Sequence, residues 1–274
     1  MNYSQILEVA SCADPGMVRA HNEDSIASDP ANGLVVLADG MGGYNAGEVA
    51  SGRATTVITT EIQQLLTKVQ PFQIDEETKA PVAGRMIRDQ VLKANTSIYQ
   101  AAQSQSQYAG MGTTLVVCLF YDNKMTVGHL GDSRLYMLRE GKFSQVTRDH
   151  SLLQEQIDSG IITAEQAKHA QHKNLVTKAL GIDPTVEPEV REYATRPGDI
   201  YLLCSDGLCD MVDDEDIGMT LQALGGNLKL AAQQLVQIAN DNGGKDNVSV
   251  ILVRVLREYP APRGVMGKVF AWLK

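Results

Sequence analysis

Residues 33–43 read Gly-Leu-Val-Val-Leu-Ala-Asp-Gly-Met-Gly-Gly. The apolar run Gly33–Ala38 predicts a short buried strand that meets a loop. Asp39 and Gly40 stand at its end, and a glycine-rich turn runs on to Gly47. A strand end is a rigid platform, and an adjacent glycine lets backbone carbonyls come close to a ligand.

Outward from this stretch, Gln5–Ala13 alternates polar and apolar residues and predicts a strand that turns at Asp14-Pro15-Gly16. Glu48–Leu66 and Val82–Ser106 carry helical patterns, with a loop over Pro71–Pro81. The period then changes. Thr113–Phe120, Lys124–His129, Arg134–Arg139 and Phe143–Val146 predict an antiparallel meander, because turn residues separate β-branched or aromatic runs. Ser151–Lys178 is polar and short-helical, like an inserted surface element. Strands resume at Val186–Tyr193 and Asp199–Cys204, helices follow at Asp213–Leu224 and Leu228–Asp241, and Val248–Leu256 is a last strand. Helices placed after runs of strands give an α+β fold, with two sheets covered by helices as the natural way to bury so many strands.

Length and composition fit one substantial domain: 274 residues, 43% hydrophobic. There are 33 acidic and 24 basic residues, a formal net charge of -9, which argues against general nucleic-acid or anionic-membrane binding. Cys12, Cys118, Cys204 and Cys209 make no CxxC pair and no zinc spacing, so structural thiols in a reducing compartment are expected. The N-terminal sequence lacks a signal-peptide pattern, no apolar run is long enough for a membrane span, and a cytoplasmic location is expected. Residues 258–274 form a tail with Pro260, Pro262 and an apolar-basic stretch Val265–Lys274 that holds Trp272. It is expected to fray, to dock on the domain or to meet a partner.

Asp39 is not alone. Asp24 closes Arg19-Ala-His-Asn-Glu-Asp24, Asp132 lies in Gly131-Asp-Ser-Arg134, Asp206 in Ser205-Asp-Gly207 and Asp246 in Lys245-Asp-Asn247. Each sits near a strand end beside a turn former. Such residues are ordinary at turns; if these ends converge, their like charges repel and divalent hard cations resolve the conflict. An oxygen-only set suits Mg²⁺ or Mn²⁺ rather than zinc. Spacing alone does not bring them together.

These residues resemble the PPM family, the metal-dependent (type 2C) protein phosphatases, in its bacterial branch. The pieces occur in the family's order over about residues 5–256: Arg19-x-x-Asn-Glu-Asp24, Leu37-Ala-Asp-Gly-Met-Gly-Gly43, Gly47-x-x-Ala50, Met111-Gly-Thr-Thr114, Gly131-Asp-Ser-Arg134, Thr147-Arg-Asp-His-Ser151, Ala179-Leu-Gly181, Leu203-Cys-Ser-Asp-Gly-Leu208 and Asp246-Asn-Val-Ser249. The resemblance implies an αββα sandwich of two antiparallel sheets over residues 1–257, with a flap at about 151–178. It implies two central Mg²⁺ or Mn²⁺ ions and a third. By position, Asp39 matches the bridging carboxylate and Gly40 a carbonyl ligand of the second metal. Asp206 and Asp246 match ligands of the first metal, Glu23 and Asp24 the supporting acidic pair, Asp132 the third-metal carboxylate, and Arg19 the phosphate-binding arginine.

The implied activity is hydrolysis of phosphoserine and phosphothreonine by a metal-bridging water, with no covalent enzyme intermediate. Arg19, Asp39 and Asp206 are the catalytic set. Phosphoproteins and an opposing serine/threonine kinase are the implied partners. The alternatives are a hydrolase of small phosphate esters and a non-catalytic phosphoprotein-binding module. Met41 stands where animal-type members carry a histidine, so the general acid is unassigned; water on a metal, His150 and His129 are the candidates.

Overall fold

The computed structural model describes residues 2–42, 46–167 and 175–262. Strands β1 (Leu7–Asp14), β2 (Asp24–Asp29) and β3 (Leu34–Met41) come first, then helices α1 (Ala46–Leu66) and α2 (Val82–Ser104). The meander β4 (Gly112–Thr113), β5 (Leu115–Tyr121), β6 (Lys124–Leu130), β7 (Arg134–Arg139) and β8 (Lys142–Gln145) follows. Two short helices, α3 (Leu152–Asp158) and α4 (Ala164–Ala167), lie in the inserted segment, of which residues 168–174 are outside the described chain. The last part is β9 (Glu189–Ala194), β10 (Ile200–Cys204), α5 (Asp206–Cys209), α6 (Asp214–Leu224), α7 (Leu228–Asp241) and β11 (Val248–Val255).

One sheet has the order β1-β11-β10-β7-β8; the other runs β2-β3-β5-β6-β9, with β4 paired to β3. The strands pair antiparallel throughout. Period-two alternation decides what each strand face meets. On β3, Leu34, Val36 and Ala38 face α1 and α2, while Val35 and Leu37 face the opposite sheet. On β10, Leu202 and Cys204 face the α5–α7 layer, while Tyr201 and Leu203 face inward. Three apolar layers therefore alternate with the backbone layers, which is the αββα sandwich. Burial on both faces is why these strands read as continuous apolar runs.

The predicted elements differ from the observed ones mainly at their ends. β3 runs through Asp39 and Gly40 to Met41 because β4 continues its ladder. The expected single strand Thr113–Phe120 is split at Thr114, where the Thr114 N–H and the Thr113 hydroxyl both donate to the Asp39 carbonyl at 2.9 and 2.8 Å. β2 had no apolar signal: it is a polar edge strand, Asp-Ser-Ile-Ala-Ser-Asp. Beyond residue 257, Tyr259 and Ala261 are still buried against the domain. The Tyr259 N–H donates to Asn123, its hydroxyl meets Thr195 at 2.5 Å, and the Ala261 N–H donates to Asp122. Val265–Lys274 lies outside the described residues. No helix among the described residues is long and apolar enough to cross a membrane. All four cysteines are free thiols.

Candidate metal centre

The ladders place the five aspartates at one end of the sandwich. Asp24 and Asp39 are direct cross-strand partners in β2 and β3. Asp132 lies in the β6–β7 connection, and Leu130 pairs with Leu115 beside Thr114. Asp206 opens α5 just after β10, and Asp246 precedes β11; Cys204 pairs with both Arg134 and Val250, so these termini lie together. Register thus supplies the convergence that residue spacing could not.

Close backbone packing holds the end together. A Cβ at Gly40 would strike the carbonyl oxygens of Gly47 and Glu23, and a Cβ at Gly207 would strike the Asn247 carbonyl. The Gly40 N–H donates to the Glu23 carbonyl at 3.2 Å, and Ser51 Oγ donates to the same carbonyl at 2.6 Å. Asn247 is a hub: its amide donates to the carbonyls of Pro15 (3.0 Å) and His21 (2.9 Å), and its Oδ1 accepts from Glu23 N–H (2.8 Å). The hydroxyl of Thr114 accepts from Asp39 N–H at 3.1 Å and pairs with Ser133 Oγ at 2.7 Å, tying β3 to the Asp132 loop.

The electrostatics are those of crowded anions. Burial pushes the Asp39 carboxyl well above the usual range, and the charges of Asp24, Asp206, Asp132 and Asp246 add to it. Burial does the same to Asp206, with Asp132, Asp210, Asp246 and Asp24 adding. Asp24 is pushed up to about 6 by burial, and Asp132 to about 6 by burial with Asp149 and Asp210 adding. Burial also raises Glu23, with Asp246 and Glu48 adding and Arg19 opposing. Asp24 Oδ2 accepts from Ser205 Oγ at 2.9 Å, whereas its Oδ1 is buried with no hydrogen-bond partner. An orphaned buried oxygen among repelling carboxylates is what a hard divalent cation satisfies, so the donor set fits Mg²⁺ or Mn²⁺. Arg19 reaches the rim, where Nη2 pairs with Asp246 Oδ2 at 2.7 Å.

Sequence reasoning had not singled out Asp210 or Asn247. Asp210 directly follows the single turn of α5, four residues after Asp206, a spacing that puts both on one face. Asn247 stood inside a quoted motif, but its bonds reach residues more than 200 positions away. His129 and His150 are not poised as acids. Burial lowers His129; burial, then His129 and Lys178, lowers His150 to about 4. With Met41, the position directly after Gly40 carries no titratable side chain.

A family model described as protein phosphatase 2C matches residues 18–252. The chain is 38% identical over 252 residues to the serine/threonine protein phosphatase PstP of Mycobacterium tuberculosis, covering 92% of this chain and 45% of PstP. It is 32% identical over 243 residues to the serine/threonine phosphatase stp of Listeria welshimeri, covering 88% of this chain and 92% of that protein. The chain thus spans a little under half the length of PstP and nearly all of stp. Among solved structures, it superimposes on the M. tuberculosis phosphatase PstP/Ppp with a TM-score of 0.83 at 36% identity, covering 92% of this chain and 100% of that one. It also matches the PstP catalytic domain in complex with two manganese ions, with a TM-score of 0.78 at 37% identity, 92% and 99% covered.

Proposed function

The chain belongs to the protein phosphatase 2C family, and from that premise we propose that it is a divalent-metal-dependent phosphatase of phosphoserine and phosphothreonine in proteins. The observation that carries this reading is the set of mutually repelling carboxylates Asp24, Asp39, Asp132, Asp206 and Asp246, drawn from separate strand ends to one end of the sandwich.

In this reading Asp39 would serve both central cations, the Gly40 carbonyl and the pair Glu23 and Asp24 would hold the second, Asp206 and Asp246 would hold the first, and Asp132 would hold a third. Bound there, the cations supply charge neutralisation of the phosphate and an acidified water at neutral pH. The chain's own groups do the rest. Gly40 and Gly47 let backbone and Glu23 pack tightly enough to fix the carboxylates. Arg19, half exposed at the rim, can turn its fork of donors from Asp246 to two phosphate oxygens and orient phosphorus. No side-chain nucleophile is called on: Cys204 is fully buried, and a hydrogen bond with Cys204, then burial, pushes the Cys209 thiol well above its ordinary value.

The same proposal takes residues 1–257 as the catalytic domain, with 258–262 docked on it. Phosphoproteins are the substrates, a serine/threonine kinase the opposing partner, and the cytoplasm the location, a reducing compartment in which four free thiols persist. The test is phosphate release from kinase-phosphorylated peptides and from small phosphate esters, each with Mn²⁺ and with chelator. Metal-dependent kcat/KM at least about tenfold higher on phosphopeptides supports the reading. Preference for small esters replaces it with a metabolite hydrolase, and no turnover on either defeats it.

A further inference from the structure

The loop that carries Asp132 is held from two sides. On one side Ser133 Oγ meets Thr114 Oγ1 at 2.7 Å. On the other, one residue holds both backbone polar groups of Gly131: the Gly131 N–H donates to His150 Nδ1 at 3.2 Å, and the His150 N–H donates to the Gly131 carbonyl at 2.9 Å. Gly131 has φ +96°, in the left-handed region, and a Cβ there would press on Thr114. The loop cannot shift without losing this clasp.

His150 is itself fixed. Its ring stacks on His129, centroids 4.7 Å apart and planes 3° apart. His129 Nε2 meets the Arg148 carbonyl at 2.9 Å, and Asp149 accepts a forked bond from Arg134 Nε and Nη2. The His150 carbonyl accepts from Thr177 N–H at 2.8 Å, and Leu152 N–H donates to the Leu175 carbonyl at 2.9 Å. One residue therefore joins the Asp132 loop to both stems of the inserted segment.

The ring chemistry is determined by its partners. A backbone N–H at Nδ1 requires a lone pair there, so the neutral ring carries its hydrogen on Nε2, which faces Glu189 Oε2 at 3.7 Å. His129, His150 and Glu189 bring candidate ligand atoms within 4.8 Å of one another. They do not suit one ion. Imidazole lone pairs lie in the ring plane, and two parallel stacked rings cannot aim theirs at a common point; the His150 Nδ1 lone pair is also already engaged.

We propose that His150 is a positioning residue for the phosphatase reaction: its Nδ1 acceptor fixes the Gly131 N–H and thereby the loop that carries the Asp132 carboxylate, and its backbone locks that loop to the root of the flap. The proposal rests on the metal-dependent reading above.

Two variants separate acceptor from ring. His150→Asn keeps an acceptor, Oδ1, at the place of Nδ1 and removes the ring. His150→Phe keeps the ring and removes the acceptor. Groups that orient ligands typically matter about 10–100-fold in metal affinity or activity. On folded protein, verified by thermal melts, His150→Phe is expected to lower kcat about tenfold or more and to leave KM within about threefold. It should also loosen the weakest Mn²⁺ sites in a calorimetric titration about tenfold, and the Gly131 amide should lose its protection in hydrogen exchange. His150→Asn should restore most of each. A wild-type Mn²⁺ isotherm and wild-type Gly131 exchange in His150→Phe overturn the proposal, as does equal damage in both variants. If the wild-type protein hydrolyses no phosphopeptide, the functional reading falls, and the Mn²⁺ isotherm and Gly131 exchange alone decide the role of His150.

Discussion

Arg19 Nη2 lies 2.7 Å from Asp246 Oδ2, so the residue assigned to phosphate is paired with a residue assigned to a cation. The pair is open to solvent, and exposed ion pairs contribute only about 0.2–1 kcal/mol. Arg19→Ala should therefore leave the melting temperature within about 2 °C and Mn²⁺ affinity equal or higher. Its cost should fall on the phosphate, as a rise in KM for phosphopeptide of about tenfold or more. Steady-state kinetics with parallel Mn²⁺ calorimetry check this; unchanged KM and kcat remove Arg19 from the role.

The raised carboxylates make a pH prediction for metal-free protein. Asp24 and Asp132, both pushed up to about 6, and Asp39 and Asp206, raised well above the usual carboxylate range, hold protons in the folded chain that the unfolded chain has released. Their stabilising effect is present below the ordinary carboxylate range and is lost as pH rises through about 6 and beyond. With chelator, the melting temperature should fall by about 5 °C between pH 5 and pH 8, and Asp39→Asn should fall less. Thermal melts across that range decide it. A rise with pH contradicts the assignment.

Gly207→Ala puts a methyl group against the Asn247 carbonyl, and Gly40→Ala puts one against the carbonyls of Gly47 and Glu23. Neither obstacle is a flexible side chain. Each change should cost about 1–3 kcal/mol of stability and at least about tenfold in kcat, measured by denaturant unfolding and turnover on the same preparations.

Tyr259 stacks edge-on against Tyr3 and meets Thr195, Lys124 and Asn123, beside the β5–β6 turn at the end of the sandwich away from Asp39. Tyr259→Ala should cost about 3–5 kcal/mol in denaturant unfolding and leave the kcat of folded enzyme unchanged.

How much of this was visible in the sequence varies with how local the cause is. β3, β5, β10 and β11 are buried on both faces, so their composition declared them. The polar edge strand β2 gave no such signal, and the single-turn helix α5 is too short for periodicity. Asp39, Asp206 and Asp246 stood beside legible strands and Asp132 in a turn between two of them, whereas Asp24 opens the unsignalled β2 and Asp210 was not singled out. Their meeting did not show in spacing, because it follows from register within each sheet and from packing of the two sheets, which brings together residues as distant as Asp24 and Ser205. The family resemblance supplied that convergence in advance. The clasp of Gly131 by His150 was invisible for the same reason: both residues looked like ordinary turn members.

If the Asp39 carboxylate holds the cations on which hydrolysis depends, its loss should remove both binding and turnover. The most direct test is Mn²⁺ calorimetry and phosphopeptide turnover on wild type and on Asp39→Asn, with folding checked by thermal melts. The variant should stay folded, melt in chelator at or above the wild-type temperature, lose the tight Mn²⁺ sites and lose turnover by about a thousandfold or more. A folded Asp39→Asn protein that binds Mn²⁺ and turns over like wild type would contradict the account.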